Sequence, residues 1–187
     1  MARKVPIGIL ALQGNVQAHA RMLGQLGRAA RPVFRPADLD GLAGLILPGG
    51  ESTTLSQLLQ REGLDRAIAG FAHRYPVLGT CAGLILMCDQ TNDARVSPLG
   101  LLAAEVERNH YGRQRESFIA RLEGRHFTGM RAAFIRAPAV RARAPLEVLA
   151  THAGLPVALR QGHHVGCAFH PELGRDTRVH AYWLGLT

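Results

Sequence analysis

The stretch Tyr75-Pro76-Val77-Leu78-Gly79-Thr80-Cys81-Ala82-Gly83-Leu84-Ile85-Leu86-Met87-Cys88 decides how this chain is read. Its first four residues form a short apolar run that suits a buried strand, and its last five suit a buried helix. Between them a cysteine stands in a tight turn among small neighbours, the pattern of a nucleophile elbow. The flanking glycines give the turn room for strained backbone angles, so that the side chain can stand clear of the sheet edge. The N-terminus of the following helix then favours the thiolate, the form that attacks.

Outward from the elbow, apolar runs alternate with helical patterns, the signature of a wound α/β sheet. Residues 5–12 read as strand, 16–26 as amphipathic helix, and 31–35 and 44–47 as short strands. Residues 52–60 and 64–74 read as helices leading into the elbow strand. After Gly100 the style changes: 101–108, 117–122, 132–136, 147–151, 157–160 and 165–169 read as short strands between Gly, Pro and His turns. A helix over 175–184 closes the pattern. With no internal repeat, linker or low-complexity tract, residues 1–187 read as one domain. The expected fold is α/β, a mostly parallel wound sheet flanked by helices, with short antiparallel strands added in the second half.

The 187 residues suffice to bury a sizeable core, and 47% apolar content with a mean hydropathy near zero describes a soluble globular chain. No apolar stretch approaches the ~18 residues of a membrane helix. Near the start, Arg3-Lys4, the apolar run and Ala18-His19-Ala20 mimic a secretory signal. Gln13-Gly14-Asn15 interrupts that run, and Pro6 and Gly8 suit a first core strand; strand is the reading, with a signal peptide the alternative. Cys81, Cys88 and Cys167 form no CxxC pair and suit reduced thiols of a cytoplasmic protein. Cys88, about two helical turns beyond Cys81, reads as buried filling of an apolar helix, as does Cys167 of its strand. Net charge is +8, yet Lys4 is the only lysine and the arginines are scattered singly. Without a basic stripe or aromatic interleaving, and with only 5% aromatic residues for base stacking, nucleic acid is not the expected partner. A solvated surface or an acidic protein partner accounts better for the charge.

A cysteine hydrolase needs a base beside the thiol and a group that orients the base. Most of the nine histidines read as surface or packing residues. His170 differs, because it follows an apolar strand and is locked into His170-Pro171-Glu172. Residues two apart in an extended chain point the same way, which sets Glu172 beside the imidazole. A carboxylate there fixes the tautomer and stabilises the imidazolium. Alone the tripeptide is an ordinary strand-end turn; with the elbow upstream it is a candidate base and orienter. Leu47-Pro48-Gly49-Gly50-Glu51-Ser52-Thr53-Thr54 reads as a strand, a glycine turn and a helix start capped by hydroxyls. Amides of that turn, with the amide of Ala82 after the cysteine, can hold a developing oxyanion. A plain β-to-α connection is the bland alternative, and a P-loop is disfavoured by the missing Gly-Lys-Ser/Thr ending.

Together these residues resemble the class I, triad-type glutamine amidotransferases and, within them, the family of glutaminase subunits of pyridoxal 5'-phosphate synthases. The resemblance runs over nearly the whole chain. It rests on Ala11-Leu12-Gln13-Gly14, Leu47 to Thr54, and Gly79-Thr80-Cys81-Ala82-Gly83-Leu84. It continues in Glu107-Arg108-Asn109, Gly112-Arg113-Gln114, Phe134-Ile135-Arg136-Ala137-Pro138 and Gly166-Cys167-Ala168-Phe169-His170-Pro171-Glu172-Leu173. It implies Cys81 as nucleophile, His170 as base and Glu172 as orienter. It implies a glutamine pocket lined by Gly49, Gly50, Glu51, Arg108, Ile135 and Arg136. An arginine there suits the substrate α-carboxylate and Glu51 its α-ammonium. It also implies that Gln13 is tied to oxyanion-hole formation and partner contact, with the amides near Gly49 and Ala82 holding the oxyanion.

The activity implied by the resemblance is hydrolysis of L-glutamine to glutamate and ammonia, with no metal and no organic cofactor in that half-reaction. The implied partner is the barrel subunit of the synthase, which receives the ammonia and activates the glutaminase; neither nucleic acid nor membrane is implied. Two departures stand out. Ala18 precedes His19 where the family usually carries Glu-His, and the chain stops soon after Trp183, which predicts a short last helix or a truncated end. Alternatives are the glutaminase of a histidine, nucleotide or aminobenzoate pathway, and a non-hydrolytic redox or chaperone protein on the same scaffold with Cys81 as a redox thiol.

Overall fold

The structure, a computed structural model, describes residues 4–108, 117–143 and 145–187. Of the residues quoted above, Arg3, Asn109, Gly112, Arg113 and Gln114 lie outside the described residues. Strands and helices alternate through the first half: β1 (Ile7–Leu10), α1 (Val16–Gln25), β2 (Ala30–Val33), β3 (Leu45–Leu47), α2 (Ser52–Arg61), α3 (Leu64–Ala72), β4 (Val77–Thr80) and α4 (Ala82–Met87). Strands then dominate: β5 (Cys88–Thr91), β6 (Leu102–Glu107), β7 (Ser117–Arg121), β8 (Arg131–Ile135), β9 (Ala139–Ala142), β10 (Glu147–His152), β11 (Leu155–Gln161) and β12 (His164–Cys167), before α5 (Arg178–Leu184).

The main sheet has the order β10-β11-β12-β4-β3-β1-β2. Its run from β2 to β12 is parallel, and β11 and β10 add antiparallel strands at one edge. Every residue of β1, β3 and β4 is buried, as expected of parallel strands covered on both faces. The covering helices bury one stripe each: Ala18, His19, Met22 and Leu23 on α1, and Ser52, Leu55, Ser56 and Leu59 on α2. Trp183 of α5 lies fully buried against Gly44, where an added Cβ would meet its ring at 3.0 Å. Two smaller sheets, β5-β6-β9 and β7-β8, are built from the second half.

Two expectations need correction. The apolar helix stops at Met87, because Cys88 turns extended and begins β5. The amides of Leu99, Gly100 and Leu101 take the carbonyls of Leu86, Cys88 and Met87, holding that end of the helix open. Cys88 is nevertheless fully buried, with its thiol pushed up to about 12 by burial. The last helix begins at Arg178, where the Asp176 carboxylate accepts from the Arg178 amide, and Pro171–Leu173 form a separate 3-10 turn. Of the second-half strands, β12 joins the parallel run, pairing with β4 so that Val165 lies beside Leu78 and Cys167 beside Thr80.

Candidate active site

Four loops meet at the carboxyl ends of the parallel strands. Gln13 follows β1, Gly49 to Glu51 follow β3, Cys81 follows β4, and His170 with Glu172 follows β12. Because β1 lies between β2 and β3, the strand order reverses here, and in open α/β sheets such a reversal leaves a crevice for ligands.

At the elbow the backbone strain falls on the cysteine, not on the glycines beside it. Cys81 has φ 50° and ψ −106°, a left-handed conformation that for a non-glycine residue costs about 1–3 kcal/mol. Gly79 and Gly83 are needed for close approach instead. A Cβ on Gly83 would lie 1.9 Å from the Leu47 carbonyl oxygen, and one on Gly79 would lie 2.4 Å from the Met87 sulfur. Two hydrogen bonds hold the turn: Cys81 N–H donates to the Cys167 carbonyl at 2.8 Å, and Ile85 N–H donates to the Cys81 carbonyl at 3.2 Å. The Cys81 Sγ lies 3.8 Å from the Ile135 carbonyl oxygen. Ala82 opens α4, where the first amides have no intrahelical acceptor.

His170 is fixed from three sides. Its amide donates to the Ala133 carbonyl at 2.8 Å, and its Nδ1 lies 2.7 Å from Glu172 Oε1. Its ring passes over Gly49, where a Cβ would lie 2.4 Å from His170 Cε1 and 3.3 Å from Cys81 Cβ. The contact with Glu172 arises from the 3-10 turn at Pro171–Leu173, not from extended alternation as the sequence suggested. Burial disfavours the charged ring, but hydrogen bonding and charge from Cys81 and Glu172 outweigh it and hold His170 up to about 10. Glu172 is buried, which raises its carboxyl, yet the hydrogen bond from His170 and the facing imidazoles keep it below the usual range. The site thus favours an imidazolium between a sulfur and a carboxylate, the setting in which a cysteine attacks most readily.

The sulfur and imidazole form the floor of a cavity of about 170 Å³ lined also by Gly50, Glu51, Ser52, Ile85, Arg108, Ile135 and Arg136. At its far side the Glu51 carboxylate, not a hydroxyl, caps α2: it accepts from the Thr54 amide at 2.7 Å, and the hydroxyls of Thr53 and Thr54 donate to it. Desolvation raises this carboxyl, but those donors hold it at about 2. Arg108 Nη2 donates to Glu51 Oε1 at 2.7 Å, and its Nη1 donates to Asp93. The two groups expected to take opposite ends of a substrate are thus paired with each other. Gln13 Oε1 accepts from the Glu51 amide at 2.9 Å and fixes the glycine turn. Gly14, at φ 100°, closes on that turn so tightly that a Cβ would lie 2.2 Å from the Gly49 oxygen.

Ile135 and Arg136 come from the end of β8, and Arg136 adopts φ 44°. Sequence reasoning missed Ser52 and Ile85 as lining residues. Ser52 follows Glu51 directly, and its buried hydroxyl finds no hydrogen-bond partner among the described residues. Ile85 stands one helical turn after Cys81, a spacing visible in the elbow itself. Among the described residues no cluster of three or more His, Cys, Asp or Glu side chains is placed to hold a metal, and no helix is long and apolar enough to cross a membrane.

A model of the SNO glutamine amidotransferase family matches residues 9–186. The pyridoxal 5'-phosphate synthase subunit PdxT of Thermoplasma acidophilum is 44% identical over 186 residues, covering 96% of this chain and 92% of that protein. The subunit of the same name from Geobacillus kaustophilus is 47% identical, covering 96% and 93%. A crystal structure described as a glutamine amidotransferase superimposes with a TM-score of 0.91 at 41% identity, covering 96% of this chain and 97% of the other.

Proposed function

Since the chain belongs to the SNO glutamine amidotransferase family, we propose that it is the glutaminase subunit of a pyridoxal 5'-phosphate synthase, hydrolysing L-glutamine to glutamate and delivering the ammonia to a partner synthase. The observation that carries this reading is that Cys81 and His170 line one cavity with Glu51 and Arg108, while Glu172 holds the His170 ring from behind. The whole chain acts as one glutamine amidotransferase domain in the cytoplasm, where its three free thiols remain reduced.

The Cys81 sulfur attacks the side-chain amide carbon of glutamine, and the carbonyl becomes an oxyanion. Backbone amides of the Gly49 turn and of Ala82 receive that charge, with Gln13 holding the turn in place. His170 gives its proton to the departing nitrogen, which leaves as ammonia, and a γ-glutamyl thioester remains on Cys81. The neutral imidazole then takes a proton from water, the hydroxide attacks the thioester, and glutamate leaves as the sulfur is restored. Glu172 keeps Nδ1 protonated throughout, so that Nε2 is the nitrogen that works. The substrate α-ammonium replaces Arg108 on Glu51, and its α-carboxylate takes the guanidinium so released. Ile135 and Arg136 close the same wall. The partner that receives ammonia is a barrel-shaped synthase subunit.

The test is ammonia release from glutamine by wild type and Cys81→Ala, each with and without the purified synthase. Wild type should turn over fastest with the pyridoxal 5'-phosphate synthase barrel and form a thioester detectable by denaturing mass spectrometry. Undiminished turnover by Cys81→Ala sinks the assignment of the nucleophile. Stimulation by another pathway's synthase instead reassigns the partner.

A further inference from the structure

Glu172 has one oxygen accounted for and one not. Oε1 takes His170 Nδ1 at 2.7 Å, while Oε2 is buried without a hydrogen-bond partner among the described residues. His19 of α1 faces it, with Nε2 at 3.6 Å from Oε2 and 3.4 Å from the Thr80 hydroxyl. On its other side, His19 Nδ1 lies 3.0 Å from Nε2 of His180 on α5. Both rings are fully buried. The two histidines therefore continue the line of Cys81, His170 and Glu172 through the sheet edge to two helices on its flank.

The direction of the protons follows from what is left over at the end. His180 Nδ1 is buried and finds no partner among the described residues. If it carried the proton, a buried N–H would go unmet, and His19 would turn a lone pair on a carboxylate. With both protons on Nε2, His180 donates to His19 Nδ1 and His19 directs its N–H between the Thr80 hydroxyl and Glu172 Oε2; at the His180 end only a lone pair is unmet, a smaller penalty than a buried donor. Desolvation makes both rings neutral, holding His19 at about 4 and His180 at about 3. The charged and titratable neighbours act in both directions: Glu172 favours the charged forms, His170 disfavours it on His19, and His19 disfavours it on His180.

We propose that His19 and His180 are positioning residues for the glutaminase triad, a relay of neutral donors that holds the outer oxygen of Glu172 so that the inner one stays aimed at His170. This rests on the glutaminase reading of the site. Chemistry explains the choice of imidazole. An arginine or lysine behind Glu172 would add a counter-charge and compete with the imidazolium for the carboxylate. A neutral N–H fixes the oxygen and leaves the negative charge to His170. Two apolar side chains would fill the same space more cheaply, since a buried polar group costs free energy unless it is met.

The test compares His19→Leu with His19→Gln, whose amide nitrogen falls near the place of Nε2, in the full chain with its synthase. His19→Leu should lower kcat about tenfold, since the buried carboxylate loses the N–H facing its outer oxygen at 3.6 Å, with KM for glutamine within about twofold. Its acid limb should move to higher pH, because a carboxylate that loses a donor is more easily protonated. His19→Gln should recover most of both, and His180→Leu, one step further back, should show a smaller change in the same directions. Iodoacetamide alkylation of Cys81 against pH reads the same line without glutamine: its profile should shift in His19→Leu and not in His19→Gln. An unchanged kcat and alkylation profile in His19→Leu overturns the proposal. So does equal damage in the Leu and Gln variants with a matching loss of melting temperature, which marks a packing role only. A wild-type complex that fails to hydrolyse glutamine sinks the glutaminase reading instead, and the alkylation shift still decides for or against the relay.

Discussion

Two carboxylates serve the same cavity, Glu51 lining it and Glu172 lying behind the imidazole that lines it, and they are treated in opposite ways. Glu51, at the open side, is surrounded by replaceable donors: two threonine hydroxyls, a backbone amide and the Arg108 guanidinium, which Asp93 also holds. Glu172, behind His170, is buried and faces two imidazoles, one charged and one neutral. A carboxylate whose partner can be exchanged suits binding of an incoming ammonium. One whose partners are fixed suits holding a ring through a catalytic cycle. Burial decides between the two roles, since solvent at Glu51 lets an ion pair open while its absence at Glu172 does not.

The contrast is broken most easily by exchanging the acid for its amide. Glu172→Gln should lower kcat by roughly 10²–10⁴ with little change in KM, because it selects the wrong tautomer of His170. Glu51→Gln should do the reverse, raising KM for glutamine about 10- to 100-fold through loss of a charge-assisted hydrogen bond, with kcat within a few-fold. Steady-state ammonia release measures both, and a Glu51→Gln defect confined to kcat would erase the distinction. Proton linkage supplies a smaller effect. His170 is raised to about 10, so the stability it contributes is complete below 6.5 and is lost as pH rises through 10. His19 is lowered to about 4, so its environment favours folding above 6.5 and loses that advantage as pH falls toward 4. Urea midpoints across pH should trace both limbs, with the alkaline limb flattened in Glu172→Gln and retained in Glu51→Gln. Smallest is Thr53→Val, which removes one donor from the capping carboxylate. It should cost about 0.5–1 kcal/mol in thermal unfolding, with kcat unchanged.

The same contrast marks how far the amino-acid order alone could be read. The elbow was legible because parallel strands buried on both faces are apolar throughout and the glycines of Gly79-Thr80-Cys81-Ala82-Gly83 have few other uses. His170 and Glu172 were legible because they lie two residues apart, although the 3-10 turn that joins them was not. Glu51 and Arg108 could each be named, but their mutual pairing spans 57 positions and depends on how the second half folds back. β5 and β9 escaped notice because Cys88-Asp89-Gln90-Thr91 and Ala139-Val140-Arg141-Ala142 are short and carry no clean alternation. His19 escaped because a histidine on the inner stripe of an amphipathic helix reads as packing, and its partner His180 stands 161 positions away.

The insertion of β12 beside β4 has a consequence for synthesis. A chain emerging from the ribosome carries the cysteine once β4 and α4 are out, yet the Cys167 carbonyl that holds its turn and the imidazole both arrive only with and after β12. Until then the sulfur stands without its base and its orienter, so the triad can form only once β12 has been made.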